Sequence, residues 1–115
     1  MTHLAVRTIN NIAIIIPNNK RIDASFANQF RDDILELNAK GHKKIILDLL
    51  NVDFIDSSGL GVIMFIAKKM ERQENLMICH ACPTVLSVLK MARIDIALHV
   101  VDTPEQAVES LELLA

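Results

Sequence analysis

The run "KKIILDLL" at residues 43–50 constrains the fold most, because its apolar residues follow one another without alternation. A strand with one face in water alternates apolar and polar side chains, whereas a strand covered on both faces is apolar along its length. The run therefore predicts a central strand of a parallel sheet. Asp48 interrupts the run, and we expect its carboxylate to accept hydrogen bonds from nearby loop N–H groups.

The first residues of the chain predict two strands joined by a tight turn. Leu4, Val6 and Thr8 alternate with more polar neighbours, and the apolar segment "IAIII" follows at 12–16. An Asn-Asn pair stands between them, and asparagine tolerates the positive φ angles of a two-residue hairpin turn. The chain is therefore expected to open with an antiparallel β-hairpin.

A helical period replaces this alternation in the next segment. Apolar residues there recur at three- and four-residue spacing: Phe26, Phe30, Ile34 and Leu37. The spacing predicts an amphipathic helix that begins near Ser25 and ends near Gly41, a natural C-cap position.

The rest of the chain again changes between helix and strand patterns. Helices are predicted at "GVIMFIAKKMERQE" (61–74), "PTVLSVLKMA" (83–92) and "TPEQAVESLELLA" (103–115), and strands at "LMICH" (76–80) and "IALHVV" (96–101). In the last helix, Thr103 and Gln106 have capping-box spacing and Pro104 takes the first helical position. The apolar stripe of that helix comprises Ala107, Val108, Leu111 and Leu114.

These patterns predict a single α/β domain over residues 1–115. A β-hairpin opens a mixed, mostly parallel sheet, and about four helices flank it, since helices and strands then alternate. A chain of this length buries one core. In such sheets functional groups usually gather in loops beyond the carboxyl ends of the strands.

Charge and hydropathy argue against two classes of partner. Twelve Lys and Arg stand against fourteen Asp and Glu, so the formal net charge is -2 and direct binding of nucleic acid is not expected. The longest apolar runs, at 12–16 and 60–67, fall short of the ~20 residues that a membrane-spanning helix needs. The N-terminal residues lack the apolar region of a signal peptide, which predicts a cytoplasmic protein with reduced cysteines.

The motif "DFIDSSGLGVI" at 53–63 is the candidate functional site. If a helix begins at Ser57, the free N–H groups of its first turn favour an anion, such as a phosphate attached to Ser57. Gly59 and Gly61 would then leave the hydroxyl open to a kinase. The alternative is structural: Asp56 or Ser57 caps the helix, and the glycines allow close packing against the sheet.

The longer segment "IILDLLNVDFIDSSGLGVI" at 45–63 resembles the signature of the STAS family, the sulfate-transporter and anti-sigma-factor-antagonist domains. Its "DSSGLG" form at 56–61 is most similar to the bacterial anti-sigma-factor antagonists. The resemblance extends over the whole chain, including Asp23 before the first helix and the closing "TPEQAVESL". It implies a STAS fold and a non-enzymatic regulator without a cofactor.

The resemblance further implies that Ser57 is phosphorylated by an anti-sigma factor that is also a serine kinase and uses ATP. The unphosphorylated form would bind that partner and free a sigma factor for transcription, and a serine phosphatase would reset the cycle. The implied partner-binding surface comprises Asp23, Asp56, Ser57, Ser58, Gly59 and Leu60. The alternative for Asp23 is structural, as the N-cap of the helix that begins near Ser25. Lys20 stands where relatives often have glycine, and Arg21 adds a second basic residue, which leaves the shape of this loop and the identity of the partner open.

Other functions fit single features of the sequence. A STAS chain also serves in some cases as a subunit of a lipid-transport complex or of another regulatory complex. "CHAC" at 79–82 has the Cys-Xaa-Xaa-Cys spacing of a dithiol redox site, although no Trp precedes it. Cys79, His80 and Cys82 would offer three zinc ligands, but no second Cys/His cluster follows, so no metal site is predicted.

Overall fold

The computed structural model describes residues 4–70, 72 and 75–113. Its strands are β1 (Leu4–Ile9), β2 (Ile12–Pro17), β3 (Arg21–Ile22), β4 (Lys44–Asp48), β5 (Phe54–Ile55), β6 (Leu76–Cys79) and β7 (His99–Val100). Its helices are α1 (Ala24–Ala39), α2 (Ser57–Lys69), α3 (Pro83–Met91), α4 (Ile94–Ala97) and α5 (Pro104–Glu112). The order confirms the predicted α/β class.

The main sheet has five strands in the order β1-β2-β4-β6-β7. Strand β1 pairs with β2 in antiparallel fashion, whereas β2, β4, β6 and β7 are mutually parallel. The predicted central strand is confirmed, because β4 lies between β2 and β6 and its residues 45–47 are fully buried. The predicted hairpin is confirmed as well, with φ angles of 51° at Asn10 and 67° at Asn11 in the turn.

Apolar side chains cover both faces of this sheet. On one face, Ile45 and Leu47 pack in a large core with residues of α1, α2 and α3. On the other face, Ile46 packs in a smaller core with Ala107 and Leu111 of α5. Successive side chains of β4 point to opposite faces of the sheet, and each face is covered by an apolar core. This is why the central residues of the strand are all apolar.

A second, two-stranded sheet was not predicted. Strand β3 pairs with β5 in parallel, with Arg21 opposite Phe54 and Ile22 opposite Ile55. Two residues are too few to show a period in the sequence. This small sheet leads directly into the N-termini of α1 and α2.

The prediction of a strand over residues 96–101 was wrong in its first half. Ile94–Ala97 forms α4, and β7 comprises only two residues. Ile94 and Leu98 are each 1% exposed while Ile96 is 76% exposed, and burial at four-residue spacing fits a helical turn rather than a strand. Arg93, with φ of 59°, separates this turn from α3.

Helix α1 ends close to its predicted end, whereas α2 ends before its predicted end. Helix α1 ends as expected, with Lys40 as C-cap and Gly41 at φ of 109°. Helix α2 ends at Lys69, while residues 71, 73 and 74 of its predicted span lie outside the described residues, as does Leu114 of the predicted last helix. Among the described residues, no helix is long and apolar enough to span a membrane.

Candidate functional site

Helix α2 begins at Ser57, four residues before its predicted span of 61–74, so the condition for an anion-favouring helix start at Ser57 is met. Asp56 is the N-cap, and its Oδ1 accepts a hydrogen bond of 3.0 Å from the Gly59 N–H. The main-chain carbonyl of Asp56 accepts the first helical bond, from the Leu60 N–H at 3.0 Å. Ser57 is exposed, so its hydroxyl lies at the surface of the positive end of the helix.

Asp56 also connects this helix with α1. Its second carboxylate oxygen, Oδ2, accepts a hydrogen bond of 3.3 Å from the backbone N–H of Ala24, the first residue of α1. One side chain therefore serves free N–H groups at the starts of two helices. This contact places the loop that contains Asp23 beside the loop that contains Ser57.

Asp23 is the N-cap of α1. Its Oδ1 accepts hydrogen bonds from the Ser25 N–H at 3.1 Å and from the Ser25 hydroxyl at 2.6 Å, and Arg21 Nε lies 3.4 Å from Oδ2. The bond from the Ser25 hydroxyl, followed by that from Arg21, holds the pKa of Asp23 below its ordinary value. The capping interpretation of Asp23 is confirmed, and its role in partner binding stays a prediction.

Of the basic pair that departs from the family pattern, Arg21 contacts the small sheet through its side chain and Lys20 through its backbone. The guanidinium of Arg21 lies 4.2 Å from the centroid of the Phe54 ring, in a cation–π contact. The carbonyl of Lys20 accepts hydrogen bonds from the N–H groups of Asp53 at 2.7 Å and Phe54 at 3.3 Å. These contacts join the Asp23 loop to the segment that precedes Ser57.

Gly59 is buried, which corrects the expectation that it leaves the surface around Ser57 open. A Cβ at Gly59 would collide with the carbonyl oxygen of Ile22 and would lie 2.9 Å from the Cγ2 atom of Ile55. Gly59 therefore allows α2 to pack against the small β3–β5 sheet, in agreement with the structural alternative. Gly61, by contrast, is exposed, with nothing within 4 Å of a Cβ placed there.

The structure thus brings together Asp23, Asp56 and Ser57, although 33 positions separate the first from the second. Ser58 is half-buried, and Leu60 packs in part against the large core. Sequence reasoning missed the contact between Arg21 and Phe54, because this contact depends on the register of the small sheet.

The Cys-Xaa-Xaa-Cys segment does not have the features of a dithiol redox site. Cys79 is fully buried, and burial, with a smaller effect of the nearby Asp48, raises the pKa of its thiol to about 12. A reactive cysteine instead has a lowered pKa and some exposure. Cys82 directs its thiol to the carbonyl of Val52 at 3.7 Å, and both cysteines are free.

Comparison with known proteins gives three relevant similarities. A sequence model described as "STAS domain" matches residues 3–107. The Bordetella bronchiseptica protein named "Putative anti-sigma factor antagonist BtrV" is 29% identical over 72 residues, which is 62% of each chain. A crystal structure of a Thermotoga maritima protein of the same description is 28% identical, with a TM-score of 0.86 over 95% of this chain and 94% of that one.

SpoIIAA, an anti-sigma factor antagonist and Bacillus cell fate determinant, has a similar fold. Its unphosphorylated form superposes with a TM-score of 0.77 at 19% identity over 97% of this chain and 98% of its own. Its phosphorylated form gives 0.66 at 20% identity over 92% and 96%. At this identity the likeness concerns the fold alone.

Proposed function

The chain belongs to the STAS domain family, and we propose that it is an anti-sigma factor antagonist whose binding to its partner is switched by a phosphate on Ser57. The observation that carries this proposal is the exposed Ser57 hydroxyl at the start of α2. The anti-sigma factor antagonist names of the BtrV and Thermotoga maritima relatives support the choice within the family.

The start of α2 favours a phosphate at this position. The first N–H groups of a helix have no intrahelical acceptor, and the helix dipole favours negative charge there. Asp56 accepts from the Gly59 N–H, and no acidic residue lies in the first turn of α2. A phosphate on Ser57 would therefore lie near backbone N–H groups, with the N-cap Asp56 as the adjacent carboxylate.

The same phosphate would change the surface that a partner meets. It adds about 1.5 to 2 negative charges at neutral pH, beside the carboxylates of Asp23 and Asp56. Docking would then require desolvation of a dianion and would suffer repulsion from acidic groups of the partner. A loss of 3 kcal/mol in binding free energy lowers affinity by a factor of roughly a hundred, which is enough for a switch.

In the proposed cycle, the partner is an anti-sigma factor that is also a serine kinase. It transfers the γ-phosphoryl group of ATP to the Ser57 oxygen, the hydroxyl proton leaves to a base of the kinase, and ADP is released. A serine phosphatase then hydrolyses the ester with water. The chain itself supplies a substrate hydroxyl and a docking surface rather than catalysis, and the cycle operates in the cytoplasm. A phosphate is compatible with this fold, since SpoIIAA has been solved in unphosphorylated and phosphorylated forms.

The proposal is tested with Ser57→Ala and the matched control Ser58→Ala, whose side chain is half-buried. Each variant is incubated with an anti-sigma serine kinase of the same organism and ATP, and then analysed by intact mass and by calorimetric titration. Wild type and Ser58→Ala should gain one phosphate and lose binding, whereas Ser57→Ala should gain none and bind with or without ATP. Full phosphorylation of Ser57→Ala would refute the assignment.

A further inference from the structure

A second cluster of chemically active side chains lies at the carboxyl ends of β4 and β6. Asp48 and Cys79 are direct partners across these parallel strands, and His80 follows at once. One potential ligand atom from each of the three residues lies within 4.8 Å of the others. Neither the phosphate on Ser57 nor the proposed docking surface uses these residues.

We propose that Asp48, Cys79 and His80 bind a zinc ion, with water as the fourth ligand. A carboxylate oxygen, a thiolate sulfur and an imidazole nitrogen are the three donor types that zinc prefers in proteins. Zinc–ligand bonds of about 2.0 to 2.3 Å in tetrahedral geometry place ligand atoms roughly 3.3 to 3.8 Å apart. The three ligand atoms lie within 4.8 Å of one another, so their widest separation must shorten by about 1 Å for all three to bind one zinc ion.

The burial of the three side chains suits a site with one open position. The Asp48 side chain is 4% exposed and Cys79 is fully buried, whereas the His80 side chain is 31% exposed. Water therefore reaches the cluster from the His80 side. The negative charges of the Asp48 carboxylate and the Cys79 thiolate would together balance a divalent cation.

Neighbouring backbone groups hold two of the ligands in place. The Leu50 N–H donates a hydrogen bond of 3.1 Å to Asp48 Oδ1, which orients the carboxylate. The N–H of His80 donates to the carbonyl of Asp102 at 3.2 Å, which fixes the loop after β6. Support of this kind around the ligands is typical of metal sites.

Zinc would replace protons that the free protein holds. Without the metal, His80 Nδ1 and Asp48 Oδ1 share a hydrogen bond of 2.9 Å, and Cys79 is a free thiol. On binding, the thiol proton leaves to solvent and a sulfur–zinc bond forms. The proton between His80 Nδ1 and Asp48 Oδ1 also leaves to solvent, Nε2 of the imidazole takes up a proton from solvent, and Nδ1 and Oδ1 each bond to the metal. No electron transfer is involved.

The sequence suggested a different third ligand. Cys82 completes the motif "CHAC", but its thiol lies against the carbonyl of Val52, and it is not among the clustered ligand atoms. Asp48 replaces it, from a position 31 residues before Cys79. The parallel register of β4 and β6, rather than the spacing of the motif, therefore defines this site.

The test uses the full chain under reducing conditions, with cobalt(II) chloride as a coloured substitute for zinc. A thiolate ligand gives a charge-transfer band in the near ultraviolet, which zinc chloride should then abolish by competition. The ligand variants are Cys79→Ala and His80→Asn, and asparagine suits the φ of 56° at position 80. The matched controls are Cys82→Ala and His99→Asn.

The proposal predicts a saturable band with one cobalt per chain that is absent in Cys79→Ala. In His80→Asn the dissociation constant should rise at least tenfold, while both controls should keep the wild-type value. Since His80 is partly exposed, this variant should fold normally even if the change at the buried Cys79 is damaging. Absence of a saturable band in the wild type, or a band that depends on Cys82 instead of Cys79, would overturn the proposal.

Discussion

The N-termini of α2 and α5 both follow short strands and both have a side-chain N-cap, but they differ in how the free N–H groups of the helix start are bonded. Each helix follows a two-residue strand, β5 or β7. At α5, Thr103 accepts from the Gln106 N–H at 3.2 Å, and Gln106 accepts in return from the N–H groups of Asp102 and Thr103. Pro104 occupies the first helical position and has no N–H to satisfy.

Helix α2 has neither this reciprocal cap nor a proline. Its cap, Asp56, divides its carboxylate between Gly59 and Ala24 of another helix. An exposed serine occupies the first position. At α5, Thr103 and Gln106 accept hydrogen bonds from the free N–H groups of the helix start, which stabilises the fold. At α2, the cap is shared with α1 and a hydroxyl is exposed, so an anion can bind at this helix start.

Gly59→Ala should produce the largest effect on stability, because Gly59 lies in close contact with the small sheet at the start of α2. The new methyl group would collide with the Ile22 carbonyl, and overpacking of this kind costs up to about 3 kcal/mol. Urea unfolding should show a lower midpoint. The control Gly61→Ala meets open space and should be neutral or stabilising by up to about 1 kcal/mol. Equal losses in the two variants would contradict the packing role of Gly59.

Asp56→Ala should rank next. It removes the acceptor of N–H groups in two helices, so a loss of about 2 kcal/mol is expected, at the upper end for an N-cap. Thr103→Ala removes the acceptor of one N–H in a single helix and should cost about 1 kcal/mol. Urea unfolding of both variants measures the difference, and a larger loss for Thr103→Ala would show that the shared cap contributes little.

Ser57→Ala should change the free energy of unfolding by no more than about 0.5 kcal/mol, since the side chain is exposed and Asp56 provides the cap. Because the chain has no Trp or Tyr, its chemical denaturation is followed by far-ultraviolet circular dichroism rather than by fluorescence. A loss comparable to that of Thr103→Ala would mean that Ser57 serves the fold.

The smallest effect concerns acid stability at the start of α1. Because the folded-state pKa of Asp23 is lowered from 3.8, its contribution to stability is present above that pH and is lost as pH falls through the folded-state pKa. Ser25→Ala removes the main cause of the shift and should raise the carboxyl pKa in an NMR titration. An unchanged titration in Ser25→Ala would refute this cause.

Local signals in the sequence predicted much of the fold. The Asn-Asn pair gave the hairpin turn, Thr103 and Gln106 gave the capping box, and the run at 43–50 gave the central strand. Each of these signals acts through residues that are close in the chain. The strand predicted at 96–101 was wrong in its first half. The burial of Ile94 and Leu98, which favours a helical turn there, depends on the rest of the core.

The candidate site was predictable only in part for the same reason. The sequence located Ser57 at a helix start and Asp23 at another. It could not show that Asp56 joins the two, because this depends on the pairing of β3 with β5. It also gave no sign that Gly59 faces Ile22, since a motif glycine suits an open surface and a tight contact equally well.

Site-resolved mass spectrometry of the protein from its native host, during growth and under stress, tests the central claim most directly. The peptide that contains Ser57 and Ser58 is fragmented so that the two positions are distinguished. Phosphate on Ser57, with an occupancy that changes between the two conditions, is the predicted result. A well-covered peptide without phosphate in either condition, or with phosphate on Ser58 alone, would contradict the account.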